Sequence, residues 1–154
     1  MTLTIVLATL ALTAVALLLG ATWYEAVVMA PNYERDVPGS IALARQFLQR
    51  TTPAHYFRVV APLAQLLTLA TVIAGWTRPG CWAFVVAFGL LIVADVITYT
   101  FHYPRLAIMF KTTESEDAVR LKRAAHEWAI GNWIRGVLLV VVLLALVRGL
   151  LRLA

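Results

Sequence analysis

The stretch ADVITYTFHYPR, residues 94–105, ends a long apolar run and places polar side chains where such a run should still be apolar. Asp95, Tyr99 and His102 follow one another at spacings of four and three residues, which puts them on one face of a helix. An ionisable group inside a membrane-spanning segment is costly and needs a partner or a function. Whether this run spans a membrane therefore decides the fold and directs the search for a site.

The composition favours a membrane protein. Of the 154 residues, 62% are hydrophobic and 14% are charged, whereas soluble domains have about 45–50% and about 25%. The length corresponds to a single domain, residues 1–154. The single cysteine, Cys81, excludes an internal disulfide and a cysteine-based metal site. The net charge of +5 does not indicate nucleic-acid binding, because the basic residues flank apolar segments, where they determine topology.

Four apolar segments are each long enough to form a transmembrane helix. They cover about residues 2–29, 56–76, 81–101 and 128–148. Each supplies the roughly 20 apolar residues that cross about 30 Å of hydrocarbon. Because lipid offers backbone groups no hydrogen-bond partners, helices are the expected form. We therefore predict an all-α, integral membrane four-helix bundle.

The connections between these segments differ in length. A tight turn at residues 77–80 joins the second and third segments, and two connections of about twenty residues lie on the opposite side. The first long connection is expected to contain an amphipathic helix at about 40–50, which packs across the bundle or lies on the membrane surface. In the second, Thr113 and Glu116 have the spacing of a capping box. Span four is therefore predicted to extend N-terminally from about 114.

The basic residues predict the orientation. Nine of the thirteen lie in or beside the two long connections, namely Arg35, Arg45, Arg50, Arg58, Arg105, Lys111, Arg120, Lys122 and Arg123. The positive-inside rule then places these connections in the cytoplasm and both termini outside. The expected location is a bacterial cytoplasmic membrane.

Polar residues of different segments fall at a common depth. With a rise of about 1.5 Å per residue, Asp95 lies about 10 Å below the interfacial His102. By the same measure Arg135 lies about 10 Å below Trp128, and Glu25, six residues before Pro31, lies about 9 Å deep. Two acids and a base from three helices therefore converge in the cytoplasmic half, which predicts a buried polar pocket there. The candidate site residues are Asp95, Glu25, Arg135, Asn132, His102 and His55 for chemistry, and Tyr99, Trp128, Trp133, Trp23, Tyr24 and Arg58 for binding.

Other interpretations of this cluster stay open. Ion pairs between Asp95 and Arg135 and between Glu25 and a basic residue of span two, Arg58, would only hold the bundle of a structural or interaction protein together. Histidines and a carboxylate are also ligands for iron, and two histidines at the mouth of the pocket would suit haem. A small transporter is a further alternative, since intramembrane acids often mark ion paths. The external halves of the spans, however, carry almost no polar residues.

The four spans, the Trp-x-x-x-Asn-Trp-x-Arg pattern at residues 128–135 and the Tyr-Pro-Arg at residues 103–105 resemble one family. It is the anthrone-oxygenase-like family of small four-helix membrane proteins, and the resemblance covers nearly the whole chain. Fungal members are associated with the oxygenation of anthrones to anthraquinones without an evident cofactor. The resemblance implies the same fold and a cofactor-independent oxygenase that acts on a flat aromatic or quinone-like molecule.

That chemistry needs groups that the cluster contains. An anthrone carbon is acidic, and its carbanion can pass an electron directly to dioxygen. A carboxylate desolvated in the membrane, Asp95 or Glu25, suits the base. Arg135 and Asn132 would stabilise the anion, with the histidines at the mouth as proton relays. The expected partners are the lipid bilayer and a hydrophobic small molecule, with no nucleic acid. The favoured interpretation requires no cofactor, and the sequence leaves iron, haem and the oligomeric state open.

Overall fold

The computed structural model describes residues 3–111 and 117–153, and these residues form helices joined by short turns and loops. In chain order the helices are α1 (Leu3–Tyr24), a first π turn (Glu25–Met29), α2 (Ala30–Glu34), α3 (Gly39–Phe47), α4 (Pro53–Ala74), α5 (Cys81–Ile97), a second π turn (Thr98–His102), α6 (Tyr103–Lys111) and α7 (Ala118–Leu151). The described residues contain no strand, which confirms the prediction of an all-helical fold. The capping box predicted at Thr113 and Glu116 lies outside the described residues.

Four continuous helices are long and apolar enough to cross a membrane. They are Leu3–Glu34, Pro53–Ala74, Cys81–Lys111 and Ala118–Leu151, so the prediction of four such segments is confirmed. In the most apolar 18-residue stretch of each helix, only 22–33% of the residues are buried within the protein. Apolar surface exposed on this scale is unfavourable in water and indicates a multi-pass membrane protein.

Two of these helices are longer than the sequence predicted, because a π turn carries each of them past a proline. The turns end just before Pro31 and Pro104, and in each the residue before the proline donates its backbone N–H to the carbonyl five residues earlier. Proline has no N–H and its ring disrupts the ordinary four-residue pattern. The extra residue of the π turn absorbs that mismatch. Because α6 continues to Lys111, the connection between the third and fourth spans is shorter than the predicted twenty residues.

The four long helices close into a ring. Both α1 and α5 pack against α4 and against α7. Small side chains such as Ala8, Ala11 and Ala64 are fully buried between them, together with Phe84 and Leu139. Small residues allow close helix packing when there is no water to drive apolar association. At one end of the ring a tight turn joins α4 to α5. At the other end α2, α3, α6 and the start of α7 form a second core, and we call this end the α3 end.

Local interactions fix the helix boundaries. At the start of α4, the His55 Nδ1 atom accepts a hydrogen bond from the backbone N–H of Thr52 at 3.1 Å. The Asp117 side chain accepts a bond from the backbone N–H of Val119 at 3.0 Å, which caps α7. Gly80 has a φ of +83° before α5, a conformation that glycine adopts without steric cost. The first two contacts fix the starts of α4 and α7 at the α3 end, and Gly80 fixes the end of the tight turn before α5.

Candidate functional site

The α3 end of the ring contains a cavity of about 330 Å³, which we call the larger cavity. Its size falls in the range of small-molecule pockets, roughly 300–1,000 Å³. Four long helices contribute to its wall, and so do α2, α6 and the loop before α4. The side chains that bear on its chemistry are Glu25, Tyr33, Phe57, Arg58, Thr98, His102, Tyr103, Phe110, Lys111, Trp128 and Arg135.

The two π turns supply two of the ionisable side chains of the larger cavity, Glu25 and His102. Glu25 is the first residue of the first turn, and His102 is the last residue of the second. Both are buried, with only 3% and 1% of their surface exposed. A π turn inserts one extra residue and so redirects the side chains around it, which is why such turns occur often at functional sites. Each π turn therefore contributes one side chain to the wall of this cavity, Glu25 from the first turn and His102 from the second.

Arg135 lies at the boundary between the larger cavity and a second one. Its Nη1 atom donates to the Thr98 hydroxyl at 3.3 Å, and its Nη2 atom donates to Asn132 Oδ1 at 3.0 Å. The guanidinium carbon lies 4.7 Å from the centroid of the Phe57 ring. Only 8% of the residue is exposed, and its Nε atom has no hydrogen-bond partner among the described residues. A buried donor without a partner is costly, so the guanidinium is incompletely satisfied by the protein.

The charge of Arg135 is not neutralised by a direct ion pair. Glu25 and Asp95 both interact with it electrostatically, yet within the described residues no carboxylate oxygen lies within 4.0 Å of its nitrogens. The same holds for Glu25 and Arg58. The two ion pairs considered from the sequence are therefore not formed among the described residues, and Glu25 and Arg135 both line the larger cavity.

Asp95 belongs to the smaller cavity, which has a volume of about 100 Å³. Its Oδ2 atom accepts a hydrogen bond from Gln65 Nε2 at 2.5 Å, which joins α5 to α4. Tyr99 lines the same cavity and is largely exposed on the outside of the protein. The residues common to the walls of both cavities are Phe57, Arg58, Thr98, Tyr103 and Arg135.

The environment of His102 differs from that of His55, the other histidine predicted to belong to the site. Its ring packs edge-on against Trp128, with centroids 6.4 Å apart, and neither ring nitrogen makes a well-formed hydrogen bond to the described residues. The backbone of Gly131 faces it so closely that a Cβ atom there would lie 3.0 Å from His102 Cε1. His55, by contrast, is exposed, caps α4 and lines neither cavity.

The predicted aromatic residues divide between the cavities and the outer surface. Trp128 is buried and lines the larger cavity. Tyr24 and Trp133 are exposed, and Trp23 packs edge-on against Trp133 with ring centroids 4.9 Å apart. Trp23, Tyr24 and Trp133 line neither cavity. The aromatic lining of the larger cavity comes instead partly from residues outside the predicted site, Tyr33, Phe57, Tyr103 and Phe110.

The Trp-x-x-x-Asn-Trp-x-Arg pattern forms one chain of contacts along α7. The Asn132 amide donates to the backbone carbonyl of Trp128 at 3.2 Å and accepts from Arg135 on its other side. Residues three and four apart on a helix are neighbours, so the spacing itself orients the guanidinium. Gln65 and Thr98, which also hold the site, escaped the sequence prediction. Their only signal is a polar side chain inside an apolar span.

Metal-ligating side chains are dispersed in the part of the chain that the structure describes. No group of three or more histidine, cysteine, aspartate or glutamate side chains lies together there in an arrangement that would hold a metal ion. The two histidines considered as haem or iron ligands, His55 and His102, do not share a cavity.

Comparisons with protein-family models, with curated proteins and with solved structures found no match. What the fold and the site define is a class: a multi-pass membrane protein with four apolar helices and, at one end, a cavity that combines apolar walls with buried ionisable side chains. The resemblance to the anthrone-oxygenase-like family stays an expectation from the sequence.

Proposed function

We propose that this protein is an integral membrane oxidoreductase that binds a flat hydrophobic aromatic or quinone-like molecule in the larger cavity. The four long helices would form its transmembrane bundle, with the α3 end in the cytoplasm. The observation that carries the proposal is the convergence in one cavity of a buried acid, a buried imidazole and a buried guanidinium, Glu25, His102 and Arg135. These groups come from three different helices, so no single local motif accounts for their meeting.

The aromatic walls favour a flat ligand. Tyr33 packs between Trp128, whose ring is tilted against it with centroids 5.5 Å apart, and Phe110, which meets it edge-on at 5.8 Å. Pocket walls of this kind bind an apolar ring through its faces, and a few polar groups fix its orientation. Phe57 closes the other side next to Arg135. The cavity therefore combines apolar walls with one cationic corner.

In the proposed reaction Glu25 acts as the general base. It faces the larger cavity, whereas Asp95 lies on the smaller one and is bonded to Gln65. Glu25 removes a proton from an acidic CH₂ carbon of the ligand, and Arg135 stabilises the oxygen that takes up the negative charge. The resemblance to the anthrone-oxygenase-like family favours dioxygen as the oxidant.

The atoms of this reaction balance without a further reductant. The carbanion gives one electron to dioxygen, and the resulting radicals combine to form a C–O bond. The proton held by Glu25 returns to the peroxide, and the hydroperoxide loses water to leave a carbonyl group. One CH₂ group and one O₂ molecule become one C=O group and one water. Among the residues of the larger cavity, His102 is placed to relay the released protons.

The test compares two isosteric amide variants in purified, nanodisc-reconstituted protein. Glu25→Gln is expected to lower kcat for the oxidation of an anthrone by about 10²–10⁴-fold, the usual contribution of a general base. Asp95→Asn should lower it by less than about tenfold, because the Asn side chain retains an acceptor for Gln65. Anthraquinone absorbance and oxygen uptake report the turnover, and thermal unfolding shows that both variants are folded. Equal losses in the two variants, or no turnover or binding by the parent protein across a panel of anthrones and quinones, would contradict the proposal.

A second candidate function is favoured by the hydrogen bond between Gln65 and Asp95. In this alternative the protein is a non-enzymatic structural or interaction protein, and its polar side chains only fix the helices. Interhelical hydrogen bonds in membranes contribute about 0.6 kcal/mol on average. The alternative therefore predicts that Glu25→Gln and Asp95→Leu both change thermal stability while no flat ligand binds.

A further inference from the structure

The short helix α3 is held firmly to the rest of the protein by one face. Ile41 is fully buried in the second core, where Met109 and Leu121 also lie. The Arg45 guanidinium donates to the backbone carbonyl of Met109 on α6, with an Nε–O distance of 2.7 Å. The Ser40 hydroxyl donates to a carbonyl of α2 at 2.7 Å. These contacts fix which side of α3 faces outward.

The outward face of α3 carries two large apolar side chains. Leu43 and Phe47 lie one helical turn apart and are 67% and 84% exposed. α3 is not part of any of the four helices that could span a membrane, so lipid contact along a span does not explain this exposure. An anchored helix that turns a leucine and a phenylalanine outward is unfavourable in water. The described part of the chain offers no cover for either side chain.

The C-terminal end of α3 lies beside the point where α4 enters its apolar stretch. Leu48, which follows α3, and Pro53, the first residue of α4, line the same cavity. Tyr56 lies about one turn and Val59 nearly two turns beyond Pro53, and both side chains are exposed. The C-terminal end of α3 therefore lies near the part of α4 where a candidate membrane span begins to expose apolar side chains.

The charges around α3 suit an acidic surface. Residues 35–50 contain three arginines, Arg35, Arg45 and Arg50, and a single acid, Asp36. Arg35 and Arg50 are exposed. An amphipathic helix with apolar residues on one side and basic residues beside them binds in the headgroup layer, more strongly when anionic lipids are present.

We propose that α3 docks on the membrane surface, with Leu43 and Phe47 inserted at the boundary between headgroups and acyl chains and with Arg35 and Arg50 against acidic phospholipid headgroups. The occupant of this face is thus the bilayer that the four long helices cross, and not a second protein. The inference concerns a surface outside the two cavities, so it stands or falls independently of the proposed enzymatic function.

The experiment places a fluorophore on the exposed face of α3. Leu43→Cys and Phe47→Cys are each labelled with an environment-sensitive dye and reconstituted in phosphatidylcholine nanodiscs with or without phosphatidylglycerol. The native Cys81 is buried, and unmutated protein treated with the dye gives its background. Val119→Cys is the matched control, because Val119 is an exposed apolar residue at the start of α7, about 14 Å of helix before the predicted interfacial Trp128.

Brominated phosphatidylcholine should quench the dye at positions 43 and 47 severalfold more than at 119, and phosphatidylglycerol should increase that quenching. Aqueous iodide should show the reverse order. Quenching at 43 and 47 no stronger than at 119 would overturn membrane docking. Quenching that is the same with and without phosphatidylglycerol would overturn the assignment of acidic headgroups.

Discussion

At the scale of single residues, the site is organised around Arg135. Its two terminal nitrogens are fixed by Thr98 and Asn132, and it lies between cavities that contain Glu25 on one side and Asp95 on the other. A guanidinium holds two acceptors in a fixed fork, which an ammonium cannot do. The sequence showed the depth of Arg135 and its spacing from Asn132. It did not show which acid would share its cavity, because the rotation of each helix about its axis depends on packing.

Arg135→Lys keeps the positive charge but loses the planar guanidinium whose two terminal nitrogens donate to Thr98 and Asn132. A lysine presents its three donors from one rotatable nitrogen, so it does not hold the side chains of residues 98 and 132 in one fixed geometry, and the cation loses its orientation toward the cavity. Hydrogen bonds to charged groups contribute about 1.5–3 kcal/mol, so affinity for an acidic aromatic ligand should fall about ten- to hundredfold. Ligand quenching of tryptophan fluorescence measures the affinity. Arg148→Lys is the control, because Arg148 lies over Trp82, far along α7 from the cavities. Equal affinity losses in both variants would argue against a specific role for Arg135.

Gly131→Ala tests whether His102 must keep its position. The added Cβ atom would lie 2.9 Å from the Phe101 ring and 3.0 Å from His102 Cε1, so both rings have to shift. Overpacking of this kind costs about 1–3 kcal/mol of stability and should also weaken ligand binding. At Gly89 a Cβ atom meets nothing within 4 Å, so Gly89→Ala should be neutral or stabilising. Thermal unfolding and ligand titration of the two variants in parallel would show the difference, and unchanged values for Gly131→Ala would count against close packing here.

At the scale of helices, the decisive elements are the two π turns. The apolar periods and lengths of the spans were sufficient to predict four helices, but the turns were not foreseen. A proline usually marks a helix end for the residues before it, so Pro31 and Pro104 suggested boundaries. In the structure each helix continues, with the π turn starting six residues before the proline at Glu25 and at Thr98. Glu25 and His102, which the sequence placed near helix ends, are thus part of continuous helices.

Pro104→Ala is expected to relax the second π turn. Alanine restores the backbone N–H and removes the ring clash, so ordinary α-helical bonding becomes favourable and His102 rotates relative to α5. A displacement of about 1 Å in a catalytic arrangement can cost about 10²-fold in rate, and the loss should appear in kcat with little change in thermal stability. Pro62→Ala is the control, since Pro62 sits inside α4 without a π turn. A fully active Pro104→Ala variant would show that the π turn is not needed for the site.

At the scale of the whole molecule, polar groups concentrate at one end of the helix ring. The α3 end contains both cavities, and the opposite end is filled by small and aliphatic residues together with Phe84. The sequence predicted this asymmetry, because the polar residues of the spans lie toward the two longer connections. The larger cavity at the α3 end could not be predicted, because the two π turns whose residues Glu25 and His102 line it were not foreseen.

The distribution of basic residues predicts that the α3 end faces the cytoplasm. In intact bacterial cells, a membrane-impermeant thiol reagent should therefore label Trp76→Cys at the tight turn and leave Val119→Cys unlabelled. Both native residues are exposed, so accessibility within the protein does not bias the comparison. Permeabilised cells should label both positions equally. The reverse pattern in intact cells would invert the orientation.

The apolar core between the cavities and the tight turn bears on whether protons can leak across the membrane. Leu18, Leu91 and Leu139 line the smaller cavity and also belong to the buried core that continues toward the tight turn. The buried hydroxyls of Thr68 and Thr71 in that region donate to carbonyls of their own helix, so their O–H groups are not available to donate to water. With the α3 end facing the cytoplasm as the basic residues predict, we expect this core to block proton flow from the cavities to the other side of the membrane. We therefore expect the protein to place charged groups within the bilayer without making the membrane permeable to protons.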